Sequence, residues 1–231
     1  MTDRADFAGF PAECVTFFVN LQANNNRAWF EARRDDFERF VMAPARQFVL
    51  AMGERLREIA PGIHAEPRVD QSIFRIHRDT RFSKDKSPYK THLGIWFWEG
   101  GRSKLDAPGF YFHLEPPNLM LGGGIYMFSE PLLSVYRDLV VHPRYGETLA
   151  RAIHEVGDRS GYQIGGVHYK RVPRGYDPAH PNASLLLHNG LYIGSEEPIP
   201  AEFYSPAILD YCFKRYSDML PIHRWLVELA A

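Results

Sequence analysis

Apolar residues in the first quarter of the chain recur at helical spacing. Phe10, Cys14, Phe17, Phe18 and Leu21 form one stripe, with Pro11 well placed in the first turn. Asn24-Asn25-Asn26 then breaks the pattern. Asparagine tolerates left-handed backbone and also caps helices, so this run predicts a stop, a turn and a restart. The next helix carries Phe30, Arg34, Phe37 and Val41. After Pro44, a third stripe of Phe48, Met52, Leu56 and Ile59 continues to Pro61.

From Gln71 the period shifts from helix to strand. Segments near 72–78, 89–98, 109–115 and 119–127 are rich in β-branched and aromatic residues, with Gly, Pro, Asp and Asn between them. Their short links predict an antiparallel meander. Helices follow over about 130–141, started at Ser129, and over 144–157. Short strands near 162–172 and 190–194 flank a Pro/Gly-rich crossing at 173–181 and a short helix at 182–188. The segment from Ser205 to Leu229 is helical, with an interruption at Pro221. The predicted fold is α+β: N-terminal helices packed on a curved, mainly antiparallel sheet, with further helices at the C-terminal end. Short loops and the lack of any repeat or long linker predict a single domain over 1–231.

Composition narrows the class. A chain of 231 residues can bury a sizeable core, and 14% aromatic residues make that core ring-rich. The net charge of −1 argues against a globally basic nucleic-acid binder, so affinity for polyanions has to come from a local patch. Cys14 and Cys212 alone form neither a disulfide framework nor a metal knuckle. The leading segment carries Asp3, Arg4 and Asp6 and lacks a signal-peptide core, and nothing approaches the about 18 apolar residues of a membrane span. The expected location is the cytoplasm, with no membrane partner.

One stretch changes the picture. Between Arg75 and His92, six cations (Arg75, Arg78, Arg81, Lys84, Lys86 and Lys90) face only Asp79 and Asp85, a local excess of +4. Guanidinium groups bind phosphate or carboxylate through paired donors, and lysine adds a mobile point charge. Ser83, Ser87 and Thr91 supply hydroxyls. The expected function is binding of a phosphate-bearing ligand, a nucleotide or nucleic-acid end, by these six cations, with Arg137 and Arg174 as weaker additions. Two other readings stay open. One is an enzyme acting on a phosphate ester, with Asp79 or His92 as base; the other is a non-catalytic interaction module whose charged loop is structural.

The stretch from Phe74-Arg75-Ile76 to Tyr89-Lys90-Thr91 resembles the signature of a family of conserved hypothetical proteins, domain of unknown function 2461. The likeness extends to Asn24-Asn25-Asn26 with Trp29-Phe30, Gly122-Gly123-Gly124-Ile125-Tyr126, Tyr136-Arg137 and Pro173-Arg174-Gly175-Tyr176. The resemblance implies no activity, cofactor or catalytic residue. His77 stands where asparagine or tyrosine is more usual in that pattern.

Strand alternation puts Arg75 with His77, Lys90 with His92, and Tyr111 with His113 and Glu115 on common faces. His77, His92, His113 and Glu115 have the elements of a metal site, but helical ligand spacing is missing and Arg75 and Lys90 would repel a cation, so no metal is assigned. Ser83-Lys84-Asp85-Lys86 matches an acyl-transfer serine pattern, yet Pro88 argues against the helix that chemistry needs. Gly122-Gly123-Gly124 sits inside a strand pattern, which points to a bulge or to close approach by another backbone.

Overall fold

A computed structural model describes residues 7–104 and 106–231; residues 1–6, part of the polar leading segment, and Leu105 lie outside the described residues. The fold is α+β with an antiparallel sheet, and helices stand at both ends of the chain. Helices α1 (Ala12–Ala23), α2 (Arg27–Glu31), α3 (Arg34–Asp36) and α4 (Ala43–Leu56) come first, with a π-helical stretch over Phe37–Met42 before α4. Strands β1 (Ile63–His64), β2 (Leu93–Glu99), β3 (Gly109–Glu115) and β4 (Asn118–Ile125) follow, then helices α5 (Glu130–Val141) and α6 (Pro143–Gly157). Strands β5 (Gln163–Val167) and β6 (His188–Pro198) precede helices α7 (Ile208–Asp218) and α8 (Leu220–Ala230). The strand order is β1-β2-β3-β4-β6-β5.

The asparagine run does what its chemistry dictates. Asn24 ends α1, and the Asn26 side chain caps α2 by accepting from the Trp29 amide at 3.0 Å. Pro221 lies in the first turn of α8, the position where a missing N–H costs nothing. The Gly122–Gly124 run lies in β4. Gly124 has φ +124°, and a Cβ there would sit 2.3 Å from the Leu191 carbonyl oxygen and 2.7 Å from the Tyr192 Cα. Close approach by the neighbouring backbone excludes any side chain.

Three predicted strands are cut back: the one near 162–172 is reduced to Gln163–Val167, and those near 72–78 and 89–98 are also shorter than the pattern suggested. The segment 72–78 makes only isolated bridges, Ile73 to Ile95 and His77 to Tyr89, and β2 starts at Leu93 rather than 89. In the register of the His77–Tyr89 bridge Arg78 falls opposite Pro88, which has no N–H to give to a ladder.

The described residues divide into two compact units. The first comprises Met1–Phe97, Tyr111–Leu121 and Glu196–Lys214. Its core is aromatic: Phe10 and Phe48 lie 5.6 and 4.8 Å from Phe112 of β3, and Phe10 stacks on Phe203 at 4.8 Å. The second comprises Trp98–Phe110, Gly122–Ser195 and Arg215–Ala231. There Phe110 packs against Tyr216 and stacks on the His223 ring, and Tyr136 meets Trp225 edge-on. Among the described residues, no helix is long and apolar enough to cross a membrane.

Candidate functional site

The site lies in the first unit, where α1 ends and the basic loop rejoins the sheet. Asn25 holds the two together. Its carboxamide donates to the Tyr89 carbonyl at 2.9 Å and accepts from the Tyr89 amide at 3.1 Å, the pair of bonds a neighbouring strand would make. The Tyr89 ring stacks on Phe30 at 4.1 Å and is buried. Between these anchors the loop folds on its own polar groups. The Arg78 amide donates to the Pro88 carbonyl and the Lys90 amide to the Ile76 carbonyl, at 2.9 and 2.8 Å.

Both loop carboxylates are occupied. Asp79 accepts from Arg81 through Nε and Nη2, at 3.0 and 2.7 Å. Asp85 accepts from the Ser87 hydroxyl and amide, at 2.6 and 2.9 Å, and from the Arg78 guanidinium. The Ser87 donors and then Arg78 hold the Asp85 carboxyl down to about 2. Lys86 donates to the Thr80 carbonyl at 2.9 Å. Among the described residues, no carboxylate lies within salt-bridge distance of Arg75, Lys84 or Lys90. Lys90 is half-buried with its ammonium 5.4 Å from the centre of the Phe74 ring. Burial first, and then the charge of Arg75, lower its pKa.

A cleft of about 430 Å³ opens between these parts, lined by Asn25, Arg78, Ser87, Lys90, Thr91 and His92, with Gln22, Asp85, Tyr89 and Glu115 completing the wall. Of the eight cations expected to bind an anion, the cleft wall carries Arg78 and Lys90. Arg75, Arg81, Lys84 and Lys86 are exposed elsewhere on the loop. Arg137 and Arg174 belong to the second unit: Arg137 lies 4.9 Å from the Tyr169 ring centre, and Arg174 is exposed.

Behind the cleft stands a chain of side chains on β3. Alternate residues of a strand share a face, and Tyr111, His113 and Glu115 use that spacing to touch one another. The Tyr111 hydroxyl lies 3.0 Å from His113 Nδ1, and His113 Nε2 lies 3.3 Å from Glu115 Oε2. Thr91 donates to Glu115 Oε1 at 3.2 Å. The His92 ring lies 4.3 Å from that of His113, at 34°. Burial, and then the neighbouring His113, push the His92 pKa down to about 4, so its imidazole is neutral near pH 7. Burial raises the Tyr111 phenol to about 12. Burial pushes the Glu115 carboxyl upward, but hydrogen bonds from His113 and Thr91 and the nearby imidazoles leave it below its ordinary value. A second cleft of about 320 Å³ adjoins His113 and Glu115, with Gln22, Asn118 and Glu196 in its wall.

Sequence reasoning found the Tyr111–His113–Glu115 face from strand parity. Asn25, which the sequence pattern marks only as helix punctuation, bridges to Tyr89, while His92, grouped by residue type with His113 and Glu115, does come beside His113. Residues 90–92 are not in a strand, so parity says nothing about His92.

The model of the conserved hypothetical protein family DUF2461 matches residues 13–225, and the chain belongs to that family. Among curated proteins, none matches it.

Proposed function

We propose that this DUF2461 family member binds a small molecule bearing a phosphate or a similar anion in the cleft walled by Arg78, Ser87, Lys90 and Thr91. The observation that carries the reading is Lys90. Its half-buried ammonium stands on the cleft wall with no carboxylate of the described residues in salt-bridge distance, and Arg75 adds like charge nearby. An anion at that wall would relieve the repulsion and accept from the Lys90 ammonium and from the Arg78 N–H groups beyond those that serve Asp85 and the Ser87 carbonyl. A volume of about 430 Å³ suits a ligand of nucleotide size rather than a polymer.

Action on a phosphate ester is a second reading. It is favoured by His92, a neutral imidazole on the same wall and therefore able to accept a proton. Cys14 and Cys212 are buried and form no disulfide, which fits a reducing compartment such as the cytoplasm.

The test is a thermal-shift panel of inorganic phosphate, nucleotides and sugar phosphates against wild type, Arg78→Ala and Lys90→Ala. A ligand that binds the native cleft raises the melting temperature by mass action, and the rise shrinks in both variants. An equal rise in wild type and Lys90→Ala overturns the reading, as does a panel with no response.

A further inference from the structure

We propose that His92, His113 and Glu115 form a binding site for a single divalent first-row transition-metal ion. One ligand atom from each of these residues can be chosen so that all three lie within 4.8 Å of one another. Zinc and similar ions bind imidazole nitrogen and carboxylate oxygen at about 2.0–2.2 Å, which sets adjacent donors roughly 3–3.5 Å apart around the ion. His113 Nε2 and Glu115 Oε2 already stand 3.3 Å apart.

The surroundings are those of a ligand set held from outside. A metal-bound imidazole normally donates its other N–H to a fixed acceptor, and the Tyr111 hydroxyl lies 3.0 Å from His113 Nδ1, leaving Nε2 for the ion. The Glu115 oxygen not facing His113 is fixed by Thr91 at 3.2 Å. The His92 ring lies 4.3 Å from that of His113, at 34°, close enough for the two imidazoles to share an ion.

Of the two cations expected to repel an ion, Lys90 shares the larger cleft's wall with His92, facing the Glu115 carboxylate that offsets its charge there, while Arg75 is exposed and absent from that wall. Two imidazoles with one carboxylate favour zinc, iron, cobalt or nickel over magnesium or calcium, which take oxygen ligands. Three protein ligands leave coordination positions open. His92 and Glu115 line the larger cleft, and His113 and Glu115 the smaller, so those positions face solvent-filled space. This assignment stands independently of the anion reading.

The experiment uses the full chain, stripped with a chelator and kept in phosphate-free buffer. Zn²⁺ is titrated by calorimetry, and Co²⁺ is followed by its visible absorption. The expected result is one ion per chain. Glu115→Gln and His113→Gln are expected to weaken binding at least about 10-fold, and Tyr111→Phe to weaken it less, by removing the group that orients His113. Circular dichroism of each metal-free variant confirms that it is folded. Glu115→Gln keeps the shape of a half-exposed side chain, so it serves as the reference should a histidine variant unfold. Wild type binding neither ion, or binding both no more tightly than Glu115→Gln, overturns the assignment. Phosphate binding by the metal-free protein bears only on the anion reading.

Discussion

Two histidine–glutamate pairs among the described residues make similar contacts in opposite surroundings. In the second unit, His223 Nε2 lies 2.7 Å from Glu99 Oε2, with side chains 1% and 12% exposed and the imidazole stacked on Phe110. In the first, His113 and Glu115 meet at 3.3 Å, but their side chains are 17% and 53% exposed, and His92 stands beside them. The closed pair is packed into the core, and its energy goes there. The open pair is held from behind by Tyr111 and Thr91 and faces two clefts. Residue type alone therefore does not mark a site; what the pair faces does.

The sharpest way to break this contrast is at the closed pair. Glu99→Ala removes one member of a buried hydrogen-bonded pair and strands the other, a change expected to cost on the order of 3 kcal/mol in urea unfolding. A cost below about 1 kcal/mol would show that the core tolerates the loss and that the two pairs are alike.

Next in size is the clip that shapes the open region. Asn25→Ala uncovers both backbone groups of Tyr89 and should cost about 1–2 kcal/mol. Hydrogen exchange of the Tyr89 amide should accelerate more than that of the core strands. Smaller again is Glu115→Gln, expected to change stability by less than about 1 kcal/mol because the side chain is half-exposed. The expected pattern is that the open pair gives up ligand affinity and the closed pair gives up folding.

The smallest effect is at Asp85. Its folded pKa of about 2 lies below its ordinary 3.8, so the stability it lends the loop is fully present above pH 3.8 and is lost as pH falls toward 2. Acid titration of the loop by nuclear magnetic resonance should show a carboxyl midpoint near 2 in wild type. Ser87→Ala should raise that midpoint more than Arg78→Ala does, because the Ser87 hydroxyl is the largest contributor.

Most elements were legible in the sequence because they rest on local rules. The asparagine break, Pro221 at a helix start and the three glycines under a crossing backbone each follow from what one residue type can do. On β3, parity alone brought Tyr111, His113 and Glu115 to one face. The rest depended on pairings far apart in the chain. Asn25 meets Tyr89 across 64 positions, and no local pattern announces such a contact. The cation count of the basic loop was visible, but not how the cations are shared out. Arg81 is held by Asp79, Lys86 by a carbonyl and Arg78 by Asp85, so that Arg78 reaches the cleft already paired and Lys90 reaches it beside the Phe74 ring. Partner choice inside a crowded loop is decided by backbone turns that composition does not encode.

Asn25 also gives the protein a route to chemical ageing. A carboxamide imitates a strand because it offers one donor and one acceptor. Hydrolysis to a carboxylate would replace the donor with a second acceptor, turned toward the Tyr89 carbonyl, and convert a clasp into a repulsion. A single spontaneous deamidation, adding one unit of mass and one negative charge, would then loosen the cleft wall in old molecules while leaving the aromatic core as it was made.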